Sequence, residues 1–380
     1  MKKGFQSSMP LAEFPLWETP KRIPYSFELE VTARCNNNCR HCCTNLPAAN
    51  KEALEQELSF EEIKDITDQA VSMGAVWALL TGGEPLLRED FFSIYLYMKK
   101  MGLLVSVFTN ATLIGKEHIR LFQKYPPRDM EVTVYGVTRE TYERVTRTEG
   151  SYAAFSKGLS LLLQNGIKVR LKAMALRSNF QEMPEIARFC RERTKDYFRL
   201  DPFLHLRYDG NLIRNKEIRA ERLSPEEIVA LERSDPERLE ALQRTCRIQA
   251  AEDPSSSTCN HLLRCGAGNA SFSVSCSGLF RLCPSLWHPD CVYNLKKGTL
   301  QEAWEIFAPA VREIRSESRE FLKKCHVCSL VNLCMWCPAN AHLETGAMDT
   351  PVEYFCRAAH ARALLCGERV RAAGPVVQGI

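Results

Sequence analysis

Tyr25-Ser-Phe-Glu-Leu-Glu-Val-Thr32 runs almost directly into Cys35-Asn-Asn-Asn-Cys39-Arg-His-Cys42, and this junction decides how the chain is read. The first stretch alternates with period two, the mark of a strand with one buried face. The second places three thiols on one short loop, spaced C-x3-C-x2-C. Three thiolates so placed can hold three irons of a cubane 4Fe–4S cluster and leave the fourth iron open to a ligand. The competing reading is a zinc site completed by His41 or Cys43, although structural zinc usually takes its ligands as two separated pairs.

Downstream, strand and helix patterns alternate. Ser59-Phe-Glu-Glu62 is a capping box that opens a helix reaching Gly74. Strands are expected at 76–81, 104–109, 131–135, 168–176 and 197–206, with helices at 90–100, 116–125, 155–165 and 184–193 between them. Six strands in this rhythm argue for an α/β fold with a parallel sheet, open or curled into a partial barrel. Functional groups in such sheets collect at the carboxyl ends of the strands. Residues 209–247 look like a helical bridge. A hairpin over 272–282, a helix over 299–315, cysteine-dense loops to Cys356 and a helical tail complete the pattern.

Composition narrows the partners. Over 380 residues, 50 basic against 46 acidic side chains leave a formal charge of +4, too even to suggest nucleic acid or a membrane surface. No apolar run is long enough to span a bilayer, and the first residues lack a signal-peptide core, so a cytoplasmic location is expected. The 17 cysteines are the anomaly. They are odd in number and clustered, which favours metal ligation over disulfides in a reducing compartment.

The C-x3-C-x2-C loop, with His41 at the aromatic position before Cys42, resembles the signature of the radical S-adenosylmethionine (radical SAM) superfamily. The resemblance covers roughly 25–206. It implies a partial (β/α)6 barrel of the TIM type in which Cys35, Cys39 and Cys42 hold the catalytic cluster and the open iron chelates S-adenosyl-L-methionine. Reductive cleavage would then give a 5′-deoxyadenosyl radical that abstracts a substrate hydrogen. Thr81-Gly82-Gly83-Glu84-Pro85 is similar to the family's GGEP motif, its glycines allowing close backbone approach and Glu84 facing the SAM ammonium. Asn110 resembles the family's Thr-Asn-Gly, with Ala111 where glycine is usual; Thr133 falls at a ribose-contacting position. Arg147 resembles an arginine that pairs with the SAM carboxylate.

The C-terminal region carries Cys259-x5-Cys265, Gly278-x4-Cys283, Cys325-x2-Cys328-x5-Cys334-x2-Cys337 and Cys356. These eight cysteines suit two four-thiolate clusters, and zinc knuckles would match the count as well. With the first loop, they resemble the SPASM extension of peptide-modifying radical SAM enzymes. That likeness assigns Cys259, Cys265, Cys283 and Cys337 to one auxiliary cluster, and Cys325, Cys328, Cys334 and Cys356 to the other, making three 4Fe–4S clusters in all. Cys276 and Cys291 are spare, as buried hydrophobes or as a replacement ligand or hydrogen-atom donor.

The division expected is an N-terminal extension (1–24), barrel (25–208), helical bridge (209–254), SPASM domain (255–360) and tail (361–380). The resemblance implies an oxidoreductase that matures a ribosomal peptide or cofactor precursor, served by a reductant such as flavodoxin or ferredoxin. Pro284 stands where sulfatase maturases carry a carboxylate base, which argues against formylglycine formation. The 24 residues before Tyr25 are too few for a winged leader-peptide-binding module, so a separate peptide-recognition protein is expected. A non-catalytic iron–sulfur or zinc scaffold is the reading from another class; the intact Gly82-Gly83-Glu84 speaks against it. The Cys283 loop is expected to close the cavity above the SAM site, at the carboxyl ends of the strands.

Overall fold

The computed structural model describes residues 22–196, 198–249, 260–331 and 333–365. Cys259, Cys366 and most of the expected N-terminal extension lie outside these residues. Six parallel strands pair in chain order: β1 (Ser26–Thr32), β2 (Trp77–Gly82), β3 (Leu104–Thr109), β4 (Asp129–Thr133), β5 (Val169–Met174) and β6 (Arg199–Asp201). Helices fill each crossover, as the alternation requires. The chain therefore has the α/β partial-barrel architecture that the sequence implied.

The sheet does not stop at β1. A hairpin of β7 (Ser271–Val274) and β8 (Leu279–Arg281), with β9 (Tyr293–Asn294), extends it to nine strands. β7 runs parallel to β1, pairing Ser271 with Ser26 and Val274 with Leu29, and β8 returns antiparallel. The hairpin turn thus lies at the carboxyl end of β1, where Leu58 N–H donates to Cys276 O at 2.7 Å. Cys283 comes back to the amino end, beside Ser271. This corrects the expectation that the Cys283 loop sits above the SAM site: an antiparallel return strand carries it to the opposite end of the barrel.

Other boundaries moved for local reasons. The sixth strand shrinks from 197–206 to three residues because Pro202 has no N–H to extend the ladder. The helix Arg139–Thr146 was unforeseen; its core-facing residues are sparse, and Thr138 caps it by accepting from Thr141 N–H at 3.3 Å. The expected helix over 299–315 ends at Arg312 and contains a π-helical turn, Ala303–Phe307, just before Pro309. The cysteine-dense loops prove partly helical: Cys356 lies inside the helix Glu353–Leu365. The bridge is three helices, Leu212–Glu221, Pro225–Ser234 and Pro236–Gln249.

Alternation along the strands gives the sheet two unlike faces. Phe27, Leu29, Leu80, Val107, Val132 and Leu171 point to the helices and are almost wholly buried. Each such side chain contributes roughly 1.5–3 kcal/mol. The opposite face carries Glu28, Glu30, Glu131, Lys172 and Arg199 on the barrel strands and Arg281 on β8. A TIM barrel packs its interior with branched apolar side chains. Here the inner face is charged, and its groups meet one another as ion pairs in place of an apolar core.

The C-terminal region grips the far edge of the barrel too. His205, beyond β6, hydrogen-bonds through Nδ1 to Asn340 Oδ1 at 2.5 Å, and Tyr354 Oη donates to Leu223 O at 2.9 Å. Tyr208 stacks on Trp287 with ring centroids 3.9 Å apart. The region therefore touches the barrel at β1 and again beyond β6, across the seam between the sheet's edges.

Candidate active site

The three-cysteine loop leaves β1 and is pinned from below. Asn38 N–H donates to Thr146 O at 2.9 Å, Arg40 N–H to Val145 O at 3.1 Å, and Arg214 Nη2 to Cys39 O at 2.8 Å. Cys35 and Cys39 are buried, and Cys35, Cys39 and Cys42 lie close enough to repel one another as thiolates. Burial pushes the Cys35 thiol up to about 12 and Cys39 well above its ordinary range. Such thiols gain most from a cation that compensates their charge. The buried Asn37 amide and His41 Nδ1 have no hydrogen-bond partner, which leaves polar groups beside the loop for a ligand. The donor set thus fits an iron–sulfur cluster.

His41 packs its ring against Tyr135 with centroids 5.2 Å apart, and burial pushes its pKa down to about 3. It is a neutral aromatic wall. Gly82 and Gly83 touch the loop itself: a Cβ on Gly82 would sit 2.1 Å from Thr32 O, and one on Gly83 2.2 Å from Arg34 O. Gly82 also has φ +131°, so both backbone freedom and close approach demand glycine there. Gly83 N–H then donates to Thr32 O at 2.7 Å.

Glu84 is completely buried and accepts from Asn110 N–H at 2.7 Å, Thr109 Oγ1 at 2.8 Å and Leu86 N–H at 3.1 Å. It ties the end of β2 to the end of β3, while burial lifts its pKa to about 7 against those hydrogen bonds. Asn110 continues the chain of contacts, donating to Asn36 Oδ1 at 2.9 Å and to Cys35 Sγ at 3.7 Å. Thr133 is buried at the end of β4. Arg147 adopts φ 53° as a helix C-cap and pairs with Glu217 at 2.7 Å. The carboxyl ends of β1 to β4 thus bring together the first-loop cysteines, the glycines, Glu84, Asn110 and Thr133.

The inner-face charges were missed by motif reading. Lys172 pairs with Glu131 at 2.7 Å, Arg199 with Asp201 at 2.7 Å, and Arg281 with Glu30 at 3.1 Å. Glu28 has its pKa raised to about 7, first by burial and then by Glu30. A cavity of about 300 Å³ at the amino ends of the strands is bounded by Glu28, Ser106, Phe108, Asp129, Arg170 and Pro284. The signal was present in the alternation of Phe-Glu-Leu-Glu-Val and Val-Arg-Leu-Lys-Ala-Met, but only closure of the sheet shows which face looks inward.

The described thiols of the second cysteine region lie in two neighbourhoods. Burial raises the Cys337 thiol to about 11, reinforced by Cys283 and Cys265. Burial likewise raises Cys325 to about 12, reinforced by Cys334, Cys328 and Cys356. These last four line one apolar cavity of about 80 Å³ with Leu330 and Trp336. Cys265 and Cys356 are exposed. Of the spare cysteines, Cys291 is buried with its Sγ 3.7 Å from Met348 Sδ. Cys276 has its thiol pushed up to about 11 by burial and the nearby Glu30. Among the described residues, no three His, Cys, Asp or Glu side chains already converge on a single-ion site.

Residues 29–190 match the Radical SAM superfamily. The chain carries a radical SAM domain. That domain implies S-adenosyl-L-methionine and a 4Fe–4S cluster as its working groups. The chain is 32% identical to the Fe-coproporphyrin III synthase of Methanosarcina barkeri over 59% of its own length and 52% of the synthase's. It therefore spans about half the length of that relative. It is 24% identical to the AdoMet-dependent heme synthase of the same organism over 83% of this chain and 92% of that one. Among solved structures, Streptococcus suis SuiB bound to precursor peptide SuiA superposes with a TM-score of 0.65 at 16% identity, covering 86% of this chain and 74% of SuiB. That likeness carries the fold beyond the barrel into the cysteine-rich region. Among the described residues no helix is long and apolar enough to cross a membrane.

Proposed function

We propose that the chain is a radical SAM oxidoreductase that modifies a peptide or cofactor-precursor substrate inside its barrel. The observation that carries this reading is the charged inner face of the barrel, which lies between the two thiol sets. Cys35, Cys39 and Cys42 lie at its carboxyl end, and Cys283 lies at its amino end. When bound, the catalytic cluster would supply the electron that cleaves SAM and so provide a hydrogen-abstracting radical. Gly82, Gly83, Glu84 and Asn110 hold the loop in place, His41 walls it, and Thr133 and Arg147 are the remaining candidates for SAM contact.

Two further 4Fe–4S clusters, at Cys259/Cys265/Cys283/Cys337 and Cys325/Cys328/Cys334/Cys356, belong to the same proposal. The proximity of the described members of each set supports it. A substrate oxidised in the barrel could pass an electron to the nearer one. A reductant such as flavodoxin or ferredoxin would charge the catalytic cluster, and a separate recognition protein would deliver the peptide.

A second reading is a tetrapyrrole substrate, favoured by the M. barkeri heme synthase, whose match extends over nearly its whole length. Anaerobic reconstitution followed by a 5′-deoxyadenosine assay tests the activity itself. Replacing Cys35, Cys39 and Cys42 with alanine should abolish deoxyadenosine while leaving about eight of about twelve irons. Deoxyadenosine from the triple variant would sink the assignment, and tightly bound zinc would favour knuckles in the C-terminal region. Deuterium transfer into deoxyadenosine from a labelled peptide or a labelled porphyrin decides between the substrates.

A further inference from the structure

Among the described residues, Arg281 is the most deeply buried cation that has no part in the SAM site. Its guanidinium is 0% exposed, at the junction of β8 with the Cys283-Pro284 turn. Nη1 donates to Pro284 O at 2.6 Å, and Nη2 lies 3.1 Å from Glu30 Oε1 and 3.4 Å from Ser273 Oγ. The guanidinium carbon lies 3.7 Å from the centroid of the Trp287 ring, which also stacks on Tyr208. Arg281, Pro284 and Trp287 therefore bracket Cys283 on both sides along the chain. Nε is buried with no partner, so the side chain is held by its charge and plane at the cost of one unmet donor.

We propose that Arg281, with Glu30 as its counter-charge, positions the Cys283 turn and sets the reduction potential of the iron–sulfur cluster that Cys283 would help to hold. The inference rests on the auxiliary-cluster part of the proposed function. A packing role alone would be met by a large apolar residue, which needs no buried carboxylate opposite. A cluster that takes up one electron gains negative charge, and in a poorly screened interior a nearby cation favours that reduced form. Glu30 opposes it. Arg281 touches the turn directly, whereas Glu30 reaches it only through the guanidinium, so the two act with opposite sign. Glu28 faces the same turn and adds to the acidic side. Lysine would keep the charge but lose the planar contact with Trp287 and the forked donation.

The test uses full-length protein in the Cys35/Cys39/Cys42→Ala background, which silences the catalytic cluster. It is loaded anaerobically with iron and sulfide and titrated with dithionite under EPR. Arg281→Gln should move one of the two auxiliary signals to a more negative potential, Glu30→Gln should move the same signal to a more positive one, and Arg281→Lys should fall between Arg281→Gln and the parent. The signal from the Cys325 set should stay still. Unmoved potentials, or shifts of one sign in both variants, would overturn the proposal. If Arg281→Gln fails to hold iron, Glu30→Gln decides alone: an unmoved or lowered potential overturns it. Iron counts on the unaltered chain separate the two ideas. A chain with only about four irons refutes the auxiliary clusters themselves, whereas a fully loaded one with indifferent potentials refutes only the role of Arg281.

Discussion

The two thiol regions solve the same problem by opposite means. Cys35, Cys39 and Cys42 come from one loop of eight residues, sealed by backbone hydrogen bonds and by the Glu84–Asn110 link. The described C-terminal thiols come from four separate places: Cys265, the end of β8, the segment 325–337, which serves both sets, and the helix that carries Cys356. Local chain geometry holds the first set. Long-range packing holds the second, and it leaves Cys265 and Cys356 exposed. A lesion in that packing should therefore damage the second region and spare the first.

The largest effect is expected at Arg362. Its guanidinium pairs with buried Glu232 at 2.6 and 3.0 Å and donates to Leu333 O at 3.1 Å, tying the helix of Cys356 to the bridge and to the loop before Cys334. Arg362→Ala removes the closer cation from buried Glu232, leaving Arg238 at 3.3 Å, and should cost at most about 3–5 kcal/mol, read by chemical denaturation. Anaerobic iron analysis should show loss from the Cys325 set with deoxyadenosine formation retained. Loss of both together would erase the contrast between the regions.

The matching lesion in the first region is Glu84→Gln. Its three accepted hydrogen bonds cannot all be kept by an amide, and the variant should lose roughly 1–3 kcal/mol. SAM cleavage should fall while iron at the C-terminal cysteines is unchanged. Retained cleavage with lost auxiliary iron would reverse the assignment of rigidity.

A pH effect sharpens the comparison at the seam. Burial holds the His205 pKa below its ordinary 6.5, with Asn340 and then Arg222, Asp201 and Glu344 around it. The unfolded chain therefore binds a proton that the folded chain refuses, so stability rises with pH through the histidine range and falls as pH drops below about 6.5. His205→Gln should flatten that slope in denaturation midpoints measured from pH 5 to 8. An unchanged slope would place the acid sensitivity elsewhere.

The smallest effect belongs to Ala111, which follows Asn110 with φ 61°. Left-handed backbone strains a Cβ-bearing residue by about 1–2 kcal/mol, and glycine returns part of that as chain entropy. Ala111→Gly should raise the melting temperature slightly, by the equivalent of less than about 1 kcal/mol. A lower melting temperature would mean that the Ala111 methyl contributes more through packing than it costs in strain.

Much of the site was legible because it is local. The capping box at Ser59, the strand 104–109 and the glycine pair after β2 are short-range patterns whose physics fits within a few residues, and all appear in the structure. The helix Arg139–Thr146 escaped because Thr, Arg and Glu dominate it, so the burial of Tyr142 and Val145 had no clear periodic stripe to announce it. Arg147 shows the limit for single residues: its type suits a carboxylate partner, and the fold supplies Glu217.

The sequence by itself determined the α/β rhythm, the three-thiol loop and the crowding of cysteines toward the C-terminal region, because spacing is a property of the chain. The tertiary structure alone decided that β7 joins the edge of β1, and with it that Cys283 returns to the amino end of the barrel. It also decided which strand face turns inward, placing Glu28, Glu30, Glu131, Lys172 and Arg199 on the inner face of the barrel. Alternation separates two faces of a strand but carries no label for inside and outside. That label comes from the closure of the sheet, which brings Arg281 of β8 against Glu30 of β1 although 251 residues separate them.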